Sequence, residues 1–384
     1  MRIAYVSDLV LPANGIDSVQ TVTMASALAR AGADVELVVP EARGHRPLTS
    51  EHIASFYRVP ESFRLTTLAK LPRGLRGVKK MGHALRAARW SELARFDVVY
   101  TRNLPVVCAV LTLSSLPVVY ETYRRWPSQS AAKRWLFTRL KAQRRLVGLV
   151  LHSELAADSY RQLGYGPART LVAHNGFDRS ALDDAPSHAD ARARCGLPPD
   201  RFTITYAGRV DPEKGLMCVL DLAAALPEMV FVIAGSRGRG PVERRAERLP
   251  NVRVVAWQPL PETLPWLMAA DALIIPPTRG PLERAGNTVL PIKTFLYLAT
   301  GRPIIAPSTP DVLEVLEDRR NGVLLPPDDL DAAVMRIREL EHDPLERARI
   351  SSAAVSDAAK YTWEGRAARV VEFIERRRGS GSVG

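Results

Sequence analysis

An arginine and a lysine, Arg209 and Lys214, stand five residues apart in the segment FTITYAGRVDPEKG, 202–215. An apolar, β-branched run precedes them, and an apolar pattern of helical period follows. A strand that hands over to a helix through such a turn aims backbone N–H groups and two cations at one point, which suits a phosphate or diphosphate. The N-terminus repeats the outline: residues 2–7 lead through LPANGID into a helical pattern near Asp17. Gly15 in that turn lets the backbone approach a phosphate or sugar closely. Two such openings, each heading its own β/α series, point to two nucleotide-type lobes.

The elements that must hold these turns are legible as alternating strands and helices. In the first half, strands are predicted at 2–7, 34–39, 97–102, 117–121, 148–153 and 170–174, with helices between them such as 18–31 and 153–163. The run 41–95 reads as irregular, with one helix near 78–93. In the second half, strands are predicted at 203–207, 230–234, 252–255, 272–276, 303–306 and 322–325. Helices follow at 214–225, 261–269, 292–299, 311–318 and 330–340, and a last one at 362–377. Val-, Ile- and Leu-rich strands with helical crossovers imply parallel sheets covered on both faces. The boundaries drawn from this are a first lobe 1–180, a linker 181–201 with a short helix, a second lobe 202–361 and a flexible tail 378–384.

Composition narrows the chemistry. The 384 residues suit two doubly wound domains. Cys108, Cys195 and Cys218 have no pair spacing, so neither a disulfide framework nor a zinc site is expected. Asp329 and Asp331 precede a helical run and read as capping residues, so no metal is expected. The N-terminus lacks a signal-peptide layout, and no apolar run reaches the length of a membrane span. Residues 1–180 hold 26 Lys/Arg against 13 Asp/Glu, whereas 181–384 hold 27 against 28. The whole excess of positive charge therefore lies in the first lobe, concentrated in 62–91 and 122–153, each with eight basic residues and no acid. Such fields attract anionic surfaces or ligands.

Taken in order, the Gly15 turn, VVYET (118–122), AHNGFD (173–178), AGRVDPEKG (207–215), NVRVVAW (251–257), AADALIIPP (269–277), LPIKTFLYLATGRPIIA (290–306), NGVLLPP (321–327) and YTWEGRA (361–367) resemble the retaining glycosyltransferase family 4. The resemblance covers nearly the whole chain. It implies the GT-B fold, an α/β architecture of two Rossmann-like doubly wound lobes facing a central cleft, with the last helix packing back on the first lobe. It further implies a nucleotide-sugar donor, a UDP-sugar in the first instance, in the second lobe. Arg209 and Lys214 would stabilise the leaving diphosphate, with Gly15, Gly208, Asn287, Thr288 and Lys293 as further donor-binding residues. Transfer would proceed with retention of configuration, without metal or cofactor, to an acceptor in the first lobe.

The chain departs from the family at three positions. Where many members place two glutamates eight residues apart, it has Thr288 and Leu296, and where they place a sugar-contacting histidine it has Tyr123. The alternative these departures raise is a catalytically degenerate protein that binds a sugar nucleotide or partner and regulates a glycan pathway. The segment 131–147 is expected to be a helix with Ala132, Leu136, Leu140 and Val147 on one face. Lys133, Arg134, Lys141, Arg144 and Arg145 would lie largely elsewhere, facing an anionic or lipid-linked acceptor or an anionic membrane. The expected setting is cytoplasmic, with a peripheral place at the inner face of a membrane; no nucleic-acid module is recognisable.

Overall fold

The computed structural model describes residues 1–41, 48–69, 76–284 and 290–379. The chain divides into two compact units, residues 1–174 together with 363–384, and residues 175–362.

In unit 1 the strands β1 (Arg2–Val6), β2 (Asp34–Pro40), β3 (Arg64–Leu68), β4 (Val98–Thr101), β5 (Val118–Thr122), β6 (Leu146–Leu151) and β7 (Thr170–Val172) form a parallel sheet. Their order is β3-β2-β1-β4-β5-β6-β7. β1, β4, β5 and β6 are buried along nearly their whole lengths, as expected of strands covered by helices on both faces. β3 is different. It is an edge strand of sequence RLTTL whose residues are half-buried or exposed, so it carries no apolar run, and the sequence reading placed it in an irregular stretch. A helix at Ser50–Tyr57 was likewise absorbed into that stretch.

In unit 2, β8 (Thr203–Ala207), β9 (Val230–Ser236), β10 (Val252–Ala256), β11 (Ala272–Ile274), β12 (Ile304–Pro307) and β13 (Val323–Leu325) form a second parallel sheet, ordered β10-β9-β8-β11-β12-β13. The segment 181–201 is not strung out as a linker. Its helix His188–Cys195 carries Arg192, whose buried guanidinium donates to Asp271 at 2.9 Å and to the Arg201 carbonyl at 2.7 Å, which fixes the segment in unit 2. The expected helix 311–318 is only a short turn at Val312–Glu314. An unforeseen helix fills Pro344–Ala358, capped by Asp343, which accepts from the Glu346 N–H at 2.8 Å.

In both sheets the connection order reverses beside a central strand, between β1 and β4 in unit 1 and between β8 and β11 in unit 2. Chains leaving the carboxyl ends of such a pair diverge to opposite faces and leave an open crevice, where doubly wound proteins bind ligands.

The last helix, Trp363–Gly379, belongs to unit 1 and packs on the helix Ile16–Arg30 and on β6. Close approach to β6 requires Gly148, since a Cβ there would fall 2.3 Å from the Phe373 ring. The helix is also tied by charge. Arg366, only 1% exposed, donates to the Glu121 carboxylate at 3.1 Å and to the carbonyls of Ala173 and His174 at 3.2 and 3.1 Å. Arg366→Met removes the main counter-charge of a buried carboxylate and is expected to destabilise the protein by about 3–5 kcal/mol. Urea unfolding measures this, and adding Glu121→Gln to that variant should recover part of the loss.

Candidate functional site

The site in unit 2 grows from the end of β8. Tyr297 holds the strand there: its hydroxyl accepts from the Ala207 N–H at 2.8 Å. Gly208 follows, with φ +150°, and its N–H continues the ladder to the Ala234 carbonyl at 2.9 Å. A Cβ on Gly235 would lie 2.2 Å from the Gly208 carbonyl oxygen, so the two strand ends touch backbone to backbone. The Tyr206 hydroxyl donates to the Arg209 carbonyl at 3.0 Å and fixes the turn beyond. Asp211 caps the short turn Pro212–Lys214 by accepting from the Glu213 N–H at 2.8 Å, and Gly215 at φ +77° starts the helix Leu216–Ala225.

Lys293, at the start of the helix Lys293–Thr300, returns to this turn. Its Nζ lies 3.5 Å from the centroid of the Tyr206 ring, and a Cβ on Gly208 would come within 2.6 Å of that Nζ. Lost hydration, then the charge of Lys214, hold the Lys293 ammonium well below the usual lysine range. Among the described residues no carboxylate enters that balance. Arg209 lies on the outside of the turn, its side chain 60% exposed and its guanidinium 3.4 Å from Asp211 and 3.9 Å from Glu213. The structure thus brings Gly208, Arg209, Lys214 and Lys293 to one turn, while Asn287 and Thr288 lie outside the described residues. Leu296 is half-buried and packs against the apolar cluster around Phe295 and Leu298.

Asp329 does cap a helix, Leu330–His342, accepting from the Ala332 N–H at 2.9 Å. Among the described residues no three His, Cys, Asp or Glu side chains gather as a metal site.

At the corresponding edge of unit 1, Gly15 is the N-cap of the helix Ile16–Arg30. Its φ of −79° needs no glycine, and a Cβ there would meet nothing nearer than the Ser18 hydroxyl at 4.0 Å. At the end of β1, Asp8 and Asn103 are paired twice. The Asp8 N–H donates to Asn103 Oδ1 at 2.9 Å, and Asn103 Nδ2 donates to Asp8 Oδ1 at 2.7 Å; Lys80 reaches the other Asp8 oxygen at 2.7 Å.

Beside them lies a buried network that the sequence reading did not single out. Glu121 accepts from Arg366, pairs with His152 Nε2 at 2.6 Å, bonds the Tyr100 hydroxyl, and lies 3.7 Å from Arg102. Burial raises the Glu121 carboxyl, but the Arg366 charge and the His152 hydrogen bond outweigh it and hold the group well below the usual carboxylate range. Burial pushes His152 down to about 4, against the upward pull of Glu121. VVYET showed Glu121, but its partners come from 19 to 245 residues away, and no local signal joins them. Tyr123 is half-buried, its ring 6.0 Å from His152 and 5.1 Å from the Arg124 guanidinium.

The basic segment differs from the sequence expectation. Its helix ends at Lys141, and Val147 lies in β6. Phe137 and Leu140 form the buried face, whereas Ala132 is exposed. Arg145 donates to the carbonyls of Ser114 and Leu111, and Lys141 to that of Leu163 at 2.7 Å, so both serve the fold rather than a surface. Lys133 stacks on Trp126 at 3.8 Å, and Arg134 and Arg144 remain exposed. Among the described residues no helix is long and apolar enough to cross a membrane.

Two family descriptions match the chain, a glycosyl transferase 4-like domain over residues 18–176 and glycosyl transferases group 1 over residues 201–343. Among curated relatives, a D-inositol 3-phosphate glycosyltransferase of Streptomyces bingchenggensis is 27% identical over 250 residues, 60% of this chain and 53% of that protein. One from Thermobispora bispora is 30% identical over 223 residues, 54% of this chain and 50% of that protein. The chain therefore spans about half the length of the curated relatives it matches. Among solved structures, sucrose-phosphate synthase from Thermosynechococcus elongatus has a TM-score of 0.75 at 18% identity, covering 99% of each chain. Anabaena HepE in complex with UDP and glucose has a TM-score of 0.73 at 16% identity, covering 98% of this chain and 100% of that one.

Two outcomes test the electrostatics described here. Lys293→Met removes a desolvated charge that has no carboxylate beside it, so this variant should melt no lower than the wild type in a thermal scan; a fall of several degrees would contradict the assignment. His152 is neutral in the fold down to about pH 4 but titrates near 6.5 when unfolded, so between these values the unfolded chain binds more protons. The stability this confers is complete above pH 6.5 and is lost as pH falls toward 4. Urea midpoints at pH 7 and pH 4.5 should therefore drop less in His152→Gln than in the wild type.

Proposed function

Because this chain belongs to the GT-B glycosyltransferases of the family 4 type, we propose that it moves a sugar from a nucleoside diphosphate donor to an acceptor, with retention of configuration. The observation that carries this is the meeting of Lys293, Lys214 and Arg209 at the Gly208 turn, with no carboxylate acting on the Lys293 charge. As the glycosidic bond of a sugar nucleotide breaks, negative charge grows on the departing diphosphate. Fixed cations and backbone amides at that place stabilise the charge without reorganising, which is where transition-state stabilisation is largest. Arg209 is held at the turn's rim by Asp211 and Glu213, and an incoming phosphate would compete for it.

The donor is a UDP-sugar, in keeping with the UDP and glucose held by the HepE structure. The reaction uses neither metal nor cofactor, since the cations already at the turn do the work a divalent ion would do. Gly15, open to approach and at a helix N-terminus, contacts the transferring sugar or its phosphate. Tyr123, half-buried in unit 1, offers a hydroxyl to the sugar. The acceptor is anionic or lipid-linked. The excess of positive charge in 1–180 supports this, as do exposed Arg134, Arg144 and Trp135, the last 59% exposed. These features also support a cytoplasmic enzyme resting peripherally on an anionic membrane, with no nucleic-acid partner.

A second reading, a degenerate protein that binds a sugar nucleotide and regulates a glycan pathway, is favoured by one observation. Leu296, at a position where the family resemblance places a glutamate, is half-buried and packs against an apolar cluster. Release of free UDP from UDP-sugars, with and without lipid-linked acceptors, separates the two. Transfer is expected to give acceptor-dependent release, and Arg209→Ala to lower kcat/KM by about 10²–10³-fold, the usual loss for one charge-stabilising donor. Nucleotide binding without acceptor-dependent release would establish the second reading.

A further inference from the structure

The turn that leads from β1 to the helix Ile16–Arg30 has little of its own to hold it. Leu11, only 1% exposed, anchors its first half, whereas Asn14, Gly15, Ile16 and Asp17 are exposed. Among the described residues, every hydrogen bond that reaches 10–14 comes from one side chain outside the turn. The Tyr57 hydroxyl accepts from the Ala13 N–H at 2.8 Å and donates to the Ala13 carbonyl at 2.8 Å. A phenol can close on both polar groups of one residue because its oxygen is donor and acceptor at once. The buried Ser18 hydroxyl, in the first turn of the helix, interacts with the same phenol. Tyr57 therefore grips the chain on either side of Gly15.

The base that carries this hydroxyl is itself fixed. Tyr57 ends the helix Ser50–Tyr57, which packs on the helix Ile16–Arg30 and buries Ile53 and Ala54. Thr49 caps the start of that helix, accepting from the His52 N–H at 3.1 Å, and Arg58 closes it in the left-handed conformation with φ 54°. The Phe56 and Tyr57 rings meet edge-on with centroids 4.9 Å apart. Burial raises the Tyr57 hydroxyl above the usual tyrosine range, so it keeps the proton that the Ala13 carbonyl accepts. A side chain locked on a helix in this way can impose a geometry on a loop that has none of its own.

We propose that Tyr57 is a positioning residue, whose two hydrogen bonds to Ala13 set the Gly15 turn where it meets the donor. The inference rests on the reading of Gly15 as a contact for the transferring sugar or its phosphate, and the open space at Gly15 leaves room for that ligand. Tyr57 acts through the turn and not on the ligand.

Titration calorimetry of UDP, UDP-glucose, UDP-galactose and UDP-N-acetylglucosamine against the wild type, Tyr57→Phe, Gly15→Thr and the double variant tests it. Threonine suits the φ of −79° at Gly15 and caps helices well, so Gly15→Thr fills the open space without disturbing the fold. Both single variants should melt within about 3 °C of the wild type, and a larger fall in Tyr57→Phe would make the tyrosine a residue of the fold and overturn the proposal. Tyr57→Phe should weaken the tightest-bound UDP-sugar about 3- to 10-fold, and Gly15→Thr at least as much. Adding Tyr57→Phe to Gly15→Thr should then cost no more than about twofold further, because both act on one turn. A loss for UDP as well places the contact on the phosphate, and a loss confined to the UDP-sugar places it on the sugar; either supports the proposal. Unchanged affinity in Tyr57→Phe, or losses that multiply in full in the double variant, overturns the positioning, while a weakened Gly15→Thr leaves the Gly15 contact standing. Unchanged affinity in Gly15→Thr overturns the Gly15 reading and the positioning with it, as does a wild type that binds none of the four ligands.

Discussion

An ammonium group set against an aromatic face, with a second lysine's charge acting on it and, among the described residues, no carboxylate answering, is costly for a fold to maintain. Much of unit 2 around the Gly208 turn is arranged to hold Lys293 in that state. The Tyr206 ring supplies the face, and its hydroxyl fixes the carbonyl of Arg209. Tyr297, four residues after Lys293 and therefore on the same side of its helix, is bonded to Ala207 at the end of β8. Gly208 has no side chain because Lys293 occupies that space, and Gly235 has none because Gly208 occupies the next. These constraints converge on one turn.

Unit 1 places charge at the equivalent edge of its sheet but resolves it differently. Glu121 is surrounded by Arg366, His152, Tyr100 and Arg102, so each charge there has an answer within the fold. Removing one partner from such a network costs more than the network contributes as a whole, because a buried charge is left behind. Arg366 makes the C-terminal helix one of those partners, linking residues 245 positions apart. The same network holds His152 neutral down to about pH 4, with the Tyr123 ring 6.0 Å away.

The sheet strands were legible because burial on both faces writes them as uninterrupted apolar runs. β3 failed that test because it is an edge strand with Arg64, Thr66 and Thr67. The helix Pro344–Ala358 was missed because its few buried residues, Ile350 and Ala354 among them, are diluted by charged and small ones. At the site, Arg209, Lys214 and Lys293 stood out as cations in recognisable surroundings, and the fold brings all three to one turn. The basic segment misled for a physical reason. Lys141 and Arg145 read as surface charge, but both spend their donors on backbone carbonyls left open at the ends of helices and turns. Charge density in a sequence counts such groups and cannot subtract them.

Leu296 ties the electrostatics to recognition. It lies three residues after Lys293 on the same short helix, so a carboxylate at that position would stand within reach of the ammonium and offset it. With leucine there, the half-buried side chain packs against the apolar cluster, and no carboxylate from this position reaches Lys293. Under the proposed function, leucine at this position leaves one acceptor fewer for ribose hydroxyls.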